Sequence, residues 1–168
     1  MTTAPTITTE HLNLRAHRAS DMDAFWDFYQ TPRADFMDKP QNRSHLWYGL
    51  MAEVGSWVVD GHGGWAVDLH DGTLIGQVAI LQPPHFAETE LGWLLFDGYE
   101  GLGYAHEAAE AALNFARETV KPASLVSYIH RDNTRSKRLA ERLGATPDPQ
   151  AKEHDDEDNV YRHVGRAA

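Results

Sequence analysis

Leu91-Gly92-Trp93-Leu94-Leu95-Phe96-Asp97-Gly98-Tyr99-Glu100-Gly101-Leu102-Gly103-Tyr104-Ala105-His106-Glu107-Ala108 decides the fold. Thr89 to Phe96 reads as a strand, and Asp97-Gly98 ends it. From Tyr104 to about Val120 the period becomes helical, with Ala105, Ala108, Ala109, Ala112 and Ala116 on one face. Methyl-sized side chains let such a helix lie close against a sheet. Gly101 and Gly103 remove side chains where the chain enters the helix. Its first N–H groups can then approach an anion, which the helix dipole favours. The glycines do not fit G-x-G-x-x-G, and no Gly-Lys-Ser/Thr follows, so neither a dinucleotide fingerprint nor a P-loop is present. On the glycines alone, a tight turn that merely lets the helix pack explains the stretch equally well.

Working outward, Ser124 to Ile129 is a strand run, and Asn133 to Leu143 a helix closed by Gly144. Arg131, Arg135, Lys137, Arg138 and Arg142, five of the chain's 15 Lys and Arg residues, fall within twelve positions there. In an acidic chain this clustering suggests a phosphate pocket, the plainer alternative being a solvated helix face. On the N-terminal side, Trp65 to Leu69 and Thr73 to Leu81 are short strands joined at His70-Asp71-Gly72 and ended by Pro83-Pro84, so the middle of the chain is an antiparallel meander. Asp60-Gly61-His62-Gly63-Gly64 breaks the chain before it. Further back, His11 to Arg15 alternates like a strand. Met22, Phe25, Trp26 and Tyr29 follow a Ser20-Asp21 cap at helical spacing, stopped by Thr31-Pro32. Ser44 to Trp57 is a second helix, and the helical spacing of the aromatic residues makes most of them core. Residues 1–8 read as a frayed leader. Lys152 to Asp158 is a charge run forming a solvated hairpin turn, and Asn159 to Val164 the last strand. The order β-α-α-β-β-β-α-β-α-β-(β) predicts an α/β (α+β) mixed sheet with helices on both faces.

At 168 residues the chain suits a single domain spanning 1–168. It has no cysteine, which excludes disulfides, thiolate zinc sites, iron–sulfur clusters and thiol nucleophiles. The formal charge of −10 argues against a nucleic-acid surface. No window approaches the roughly 20 apolar residues of a membrane span, and the first residues lack a signal-peptide pattern, so the expectation is a soluble, cytoplasmic protein off the membrane. Ten histidines show no H-E-x-x-H spacing, and Glu153 to Asp158 lacks the alternation of a calcium loop, so no metal is expected.

Four further stretches accompany the opening one. Thr9-Glu10-His11-Leu12-Asn13-Leu14-Arg15 precedes it, as does Glu90-Leu91-Gly92-Trp93 at its start. His130-Arg131-Asp132-Asn133-Thr134-Arg135-Ser136 and Glu141-Arg142-Leu143-Gly144-Ala145 follow. Together these residues resemble the GNAT superfamily of acetyl-CoA-dependent N-acetyltransferases, in the branch similar to ribosomal-protein N-terminal (alanine/serine) acetyltransferases, over about Thr9 to Val164. The resemblance implies a GNAT fold whose mostly antiparallel sheet bulges and splays between its fourth and fifth strands to admit acetyl-CoA. It implies pantetheine contacts at Leu94, Leu95 and Phe96, pyrophosphate on the amides of Leu102, Gly103, Tyr104, Ala105 and His106, and Asn133 holding the pantetheine arm. Ser136 takes the place of the branch's hydroxyl near the departing sulfur, and Phe36 and Met37 belong to the acceptor wall. A homodimer is common in the branch. The chain departs from the pattern at Glu100, Leu102 and Ala145.

Glu90, beside the expected thioester, is the candidate base, against a structural strand-end carboxylate. An ordinary Glu near pKa 4.3 is a poor base for a Lys ammonium near 10.4 and less mismatched to an α-amine near 8. The function expected is direct transfer of acetyl to a primary amine, a protein N-terminal α-amine being one such acceptor. The alternatives are a small amine or antibiotic as acceptor, or a non-catalytic CoA-binding module. The acidic surplus outside Arg131 to Arg142 suits a cationic acceptor.

Overall fold

The structure is a computed structural model describing residues 3–165. Among these residues eight strands form one open sheet: β1 (Ile7–Thr8), β2 (Leu12–Arg15), β3 (Gly64–Leu69), β4 (Leu74–Leu81), β5 (Thr89–Leu95), β6 (Leu125–His130), β7 (Thr146–Pro147) and β8 (Asp158–Val164). Their spatial order is β1-β2-β3-β4-β5-β6-β8-β7. Four α-helices cover it: α1 (Met22–Tyr29), α2 (Arg43–Val59), α3 (Tyr104–Phe115) and α4 (Thr134–Arg142). All neighbours pair antiparallel except β5 and β6, which are parallel and joined through α3.

The period-two alternation of β5 divides the core. Leu91 and Leu95 enter the larger cluster, against Ala108, Ala109 and Ala112 of α3, while Leu94 packs with Phe25, Phe28, Leu46 and Leu50 of α1 and α2. The alanine face does what its spacing predicted, and all three of those alanines are buried. Trp57, Trp65 and Phe115 close one end, edge to face. Both indole N–H groups are satisfied, Trp57 donating to the Gly64 carbonyl and Trp65 to the Pro5 carbonyl, at 2.9 Å each.

Several expectations shift. Residues expected as a frayed leader are tied down: Ile7 and Thr8 pair with Leu14 and Asn13, and Ala4 is buried in the main core. Met1 and Thr2 lie outside the described residues. The helix expected to reach Val120 is α-helical to Phe115 and finishes as a π-turn over Ala116–Val120, ended by Lys121 in a left-handed conformation. Of Trp26, Tyr29, Phe36, Trp47, Tyr48 and Trp57, expected to be mostly core, three join the core or pack against it and three do not. Trp57 is buried, Trp26 and Tyr29 are half-buried, and Phe36, Trp47 and Tyr48 are exposed. Helical spacing alone could not show that α2 leaves one face uncovered.

The feature that positions the site is where β5 and β6 part. They pair only at Thr89↔Leu125 and Glu90↔Val126. Beyond Glu90 the strands diverge, and a side chain reaches across the opening, Ser127 Oγ donating to the Leu91 carbonyl at 2.5 Å. The splay is as expected; the bulge is not found, because β4 and β5 keep regular register from Leu81↔Glu90 to Gly76↔Leu95. Gly76 makes that contact possible, since a Cβ there would collide with the Leu94 carbonyl.

Candidate active site

Two clefts flank the opening and share Phe36, Met37, Trp93, Leu94, Asn133 and Ser136. One, of about 450 Å³, runs over the glycine turn and is lined by Arg33, Arg135, Arg138 and Arg142, with Glu100 as its single carboxylate. At its floor, Gly103 caps α3 at φ 88°, a conformation that favours glycine, and no side chain caps the helix. Uncapped N–H groups at a helix N-terminus beside four guanidinium groups suit an anionic guest such as a pyrophosphate. The residues present therefore fit a phosphorylated acyl carrier. Gly103, Tyr104, Ala105 and His106 line this cleft, whereas Leu102 is not among its lining residues and is 62% exposed. Glu100 does not confront the phosphates bare. One oxygen accepts from Arg33 Nη1 at 3.1 Å and the other from the Gly98 N–H at 2.8 Å. Its carboxyl is held below the usual range, first by its own backbone N–H and then by Arg33.

The alternation of an antiparallel ladder sorts the backbone along the opening. The Phe96 N–H is taken by the Ile75 carbonyl at 2.8 Å, which turns the even-numbered residues toward β4. Odd-numbered residues face the splay. The Leu91 carbonyl meets Ser127 there, and the Leu95 carbonyl accepts from Arg33 Nε at 3.0 Å. Trp93 and Leu95 thus offer backbone groups to a guest strand, while Phe96 packs against Phe25 and Phe28. Leu94 and Leu95 line the cleft, Leu94 through its side chain.

The other cleft, of about 400 Å³, contains Asp35, Asp38, Glu53, Glu90, Asp155, Glu157 and Asp158, and among the described residues lining it there is no lysine or arginine. Glu90 sits at the vertex, on the last residue paired to β6. Burial pushes its carboxyl up to about 8; a hydrogen bond from the Tyr128 backbone opposes this, and the charges of Asp158 and Glu53 add to it. The Tyr29 hydroxyl, in the same cleft, is pushed up to about 12 by burial and by Glu53 and Asp38, so it stays protonated.

At the junction, Trp93 Nε1 donates to Ser136 Oγ at 3.3 Å. Asn133 caps α4, its Oδ1 accepting the Ser136 N–H at 3.1 Å, which leaves its amide NH₂ available to the clefts. Phe36 stacks on His130 with ring centres 4.9 Å apart, and with Met37 it borders both clefts. Behind the vertex, His163 is kept neutral, its pKa pushed down to about 4 by burial and then by Arg117, and its Nε2 lies 2.9 Å from Ser127 Oγ.

Glu90, Ser136, Asn133, Phe36 and Met37 are thus brought together. The basic cluster is divided: Arg135, Arg138 and Arg142 line the phosphate cleft, but Arg131 bonds the Asp156 carbonyl at 2.9 Å and Lys137 the Arg131 carbonyl at 2.5 Å. The acidic turn is also not merely solvated, since Asp155, Glu157 and Asp158 border the second cleft. Sequence reasoning missed Arg33, Glu53 and Trp93. Arg33 follows an unremarkable Thr31-Pro32 break, and Glu53 is one polar residue in an apolar helix; only the Gly63-Gly64 pair hinted at a close approach there.

The acetyltransferase (GNAT) domain family matches residues 11–146. An acetyltransferase from Agrobacterium tumefaciens superimposes with a TM-score of 0.91 at 42% identity, covering 96% of this chain and 95% of that one. A putative ribosomal-protein-serine acetyltransferase from Vibrio cholerae shares the fold at TM-score 0.75 and 24% identity, over 96% of this chain and 98% of the other. A ribosomal alpha-N-protein acetyltransferase in complex with coenzyme A does so at TM-score 0.77 and 18% identity, over 96% and 98%. The family's acyl donor is acetyl-CoA, and the arginine-lined cleft fits it. The splayed β5–β6 pair, the uncapped glycine turn and the family match agree: this chain belongs to the GNAT acetyltransferases and is an N-acetyltransferase.

Proposed function

We propose that the protein transfers acetyl from acetyl-CoA directly to a primary amine of a cationic acceptor, of which a protein N-terminal α-amine is the type best matched to Glu90. The observation that supports this is the division of charge across the opening. Four arginines line one cleft and seven carboxylates the other, and the two meet at Trp93, Leu94, Asn133 and Ser136. Arg33, Arg135, Arg138, Arg142 and the first amides of α3 would hold the phosphates, and the backbone of Trp93 and Leu95 the pantetheine arm. When bound, acetyl-CoA supplies an activated thioester carbonyl.

An ammonium entering the acidic cleft must lose a proton before it can attack. An ordinary carboxylate would take it uphill by more than three pKa units from an α-amine, about 5 kcal/mol. With Glu90 at about 8 the transfer is nearly level. For a lysine-type amine about 3 kcal/mol remains, which tilts the site toward α-amines and others of lowered basicity. Ser136 donates a hydrogen bond to the departing sulfur; a hydroxyl is too weak an acid to protonate a thiolate outright. No cysteine exists to carry the acetyl group, so transfer is direct.

Calorimetric titration with acetyl-CoA, followed by thiol-release assays over peptides, amino acids, polyamines and aminoglycosides, tests this reading. Saturable binding together with thiol release on a cationic amine is expected. Binding without release on any amine refutes it in favour of a CoA-binding module.

A further inference from the structure

Glu53 is the one carboxylate in the acidic cleft seated in a fitted notch. It rises from α2 where Gly63-Gly64 passes beneath, and a Cβ on Gly64 would collide with its carboxylate. Gln77 of β4 donates to Oε1 at 3.0 Å. Behind it lies His17, whose side chain is only 2% exposed, with Nε2 3.7 Å from Glu53 Oε2 and Nδ1 4.0 Å from Asp21 Oδ2. Asp21 is in turn gripped by Arg15, which also holds Asp68 at 2.6 Å. A chain of polar side chains therefore runs from the interior to the cleft floor. It ends unfinished: Glu53 Oε2, Gln77 Oε1 and both ring nitrogens of His17 are buried without a hydrogen-bond partner. Glu53 and Gln77 line the acidic cleft, and with no lysine or arginine among the described residues lining it, a cation to pair with Glu53 must come with the guest. Tyr29 and Asp38 flank the spot, and Glu90 is near enough that the Glu53 charge acts on it.

We propose that Glu53, fixed by Gln77 over Gly64 and backed by buried His17, binds a second cationic group of the acceptor while Glu90 addresses the reacting amine. The favoured acceptor is therefore dicationic, with a second positive nitrogen a few bonds from the first. Such an acceptor suits Glu90 further, because a neighbouring positive charge lowers the reacting ammonium's pKa toward that of Glu90. The inference rests on the amine-acetylating reading, but its test does not need turnover.

Protein saturated with CoA is titrated calorimetrically with two pairs of probes, 1,3-diaminopropane against propylamine, and an Ala-Lys peptide amide against its Ala-norleucine analogue. Wild-type protein is expected to bind the dicationic member of at least one pair ten or more times tighter. Glu53→Gln keeps the Gln77 hydrogen bond and removes the charge, and should abolish that preference with unchanged CoA affinity. His17→Asn, which spares the cleft lining, should reduce it partly. No preference in either pair, or a preference surviving Glu53→Gln, overturns the proposal. Loss of CoA binding in Glu53→Gln overturns it too, by showing Glu53 to be a scaffold residue. Failure of thiol release with an intact preference would instead sink the catalytic reading and leave this one standing.

Discussion

Glu90→Gln should make the protein slower and, at high pH, more stable. Glu90 sits at the vertex of the β5–β6 opening with its carboxyl raised from 4.5 to about 8, mainly by burial. A carboxyl that holds its proton more tightly folded than unfolded stabilises fully below the unfolded value, and that stability is lost as pH rises through the folded value. The window therefore runs from about pH 4.5 to pH 8. At full burial the shift corresponds to about 5 kcal/mol; Glu90 is half-buried beside an open cleft, and screening trims this to roughly 2–3 kcal/mol. Glutamine has the same shape and does not titrate. Urea denaturation should then find the variant roughly 2–3 kcal/mol more stable than wild type at pH 9, with little difference at pH 5. Removing a positioned base should lower kcat/KM by about 10² to 10³, and wild-type kcat/KM should climb through about pH 8, a limb the variant lacks. Equal stabilities at pH 9 together with an unchanged pH profile would refute both the buried charge and the proton transfer assigned to it.

The arginine-lined cleft predicts that Arg135→Ser with Arg138→Ser weakens acetyl-CoA binding by about tenfold or more, with a shallower salt dependence in titration calorimetry. Ser136→Ala removes both the hydroxyl proposed to meet the sulfur and the acceptor for Trp93, and a fall in kcat of about tenfold with unchanged acetyl-CoA affinity is expected from one lost hydrogen bond. Arg162 holds Glu88 at 2.7 and 2.9 Å and Asp148 at 2.7 Å, the carboxylates being nearly buried. Glu88→Gln should cost about 3 kcal/mol at pH 7 by denaturation. Arg162 holds the Glu88 carboxyl below its ordinary 4.5, so the cost should shrink as pH falls below that value.

Where function and local chemistry coincide, the sequence was readable. The alanine stripe of α3, the glycine turn and the Gly144 stop after α4 are each local patterns with one cheap geometry, and each formed where its spacing placed it. The meander followed from its Asp71-Gly72 turn. What could not be read depends on residues far apart in the chain. Arg33 reaches Glu100 across 67 positions, and Glu53 meets Gln77 across 24. Neither has a local signature, and both are single polar residues whose meaning comes from the partner. The strand bulge failed for a related reason. Gly76, an ordinary strand glycine in sequence, lets β4 follow β5 closely enough to keep register, so the opening is made by divergence from β6 alone.

The division of charge between the two clefts also bears on product release. On the proposed reaction an acceptor would enter the acidic cleft as a cation, and acetylation would turn its ammonium into a neutral amide. At about 4 Å and an effective dielectric of 20, one lost charge pair removes about 4 kcal/mol of attraction. The cleft therefore holds substrate more strongly than product, and the chemical step itself lowers the barrier to departure. Acetyl-CoA would keep every phosphate through the reaction, so nothing comparable would loosen the hold proposed for Arg33, Arg135, Arg138 and Arg142. The acetylated amine should leave first and the spent carrier second, with the carrier's departure setting the pace at saturating acceptor.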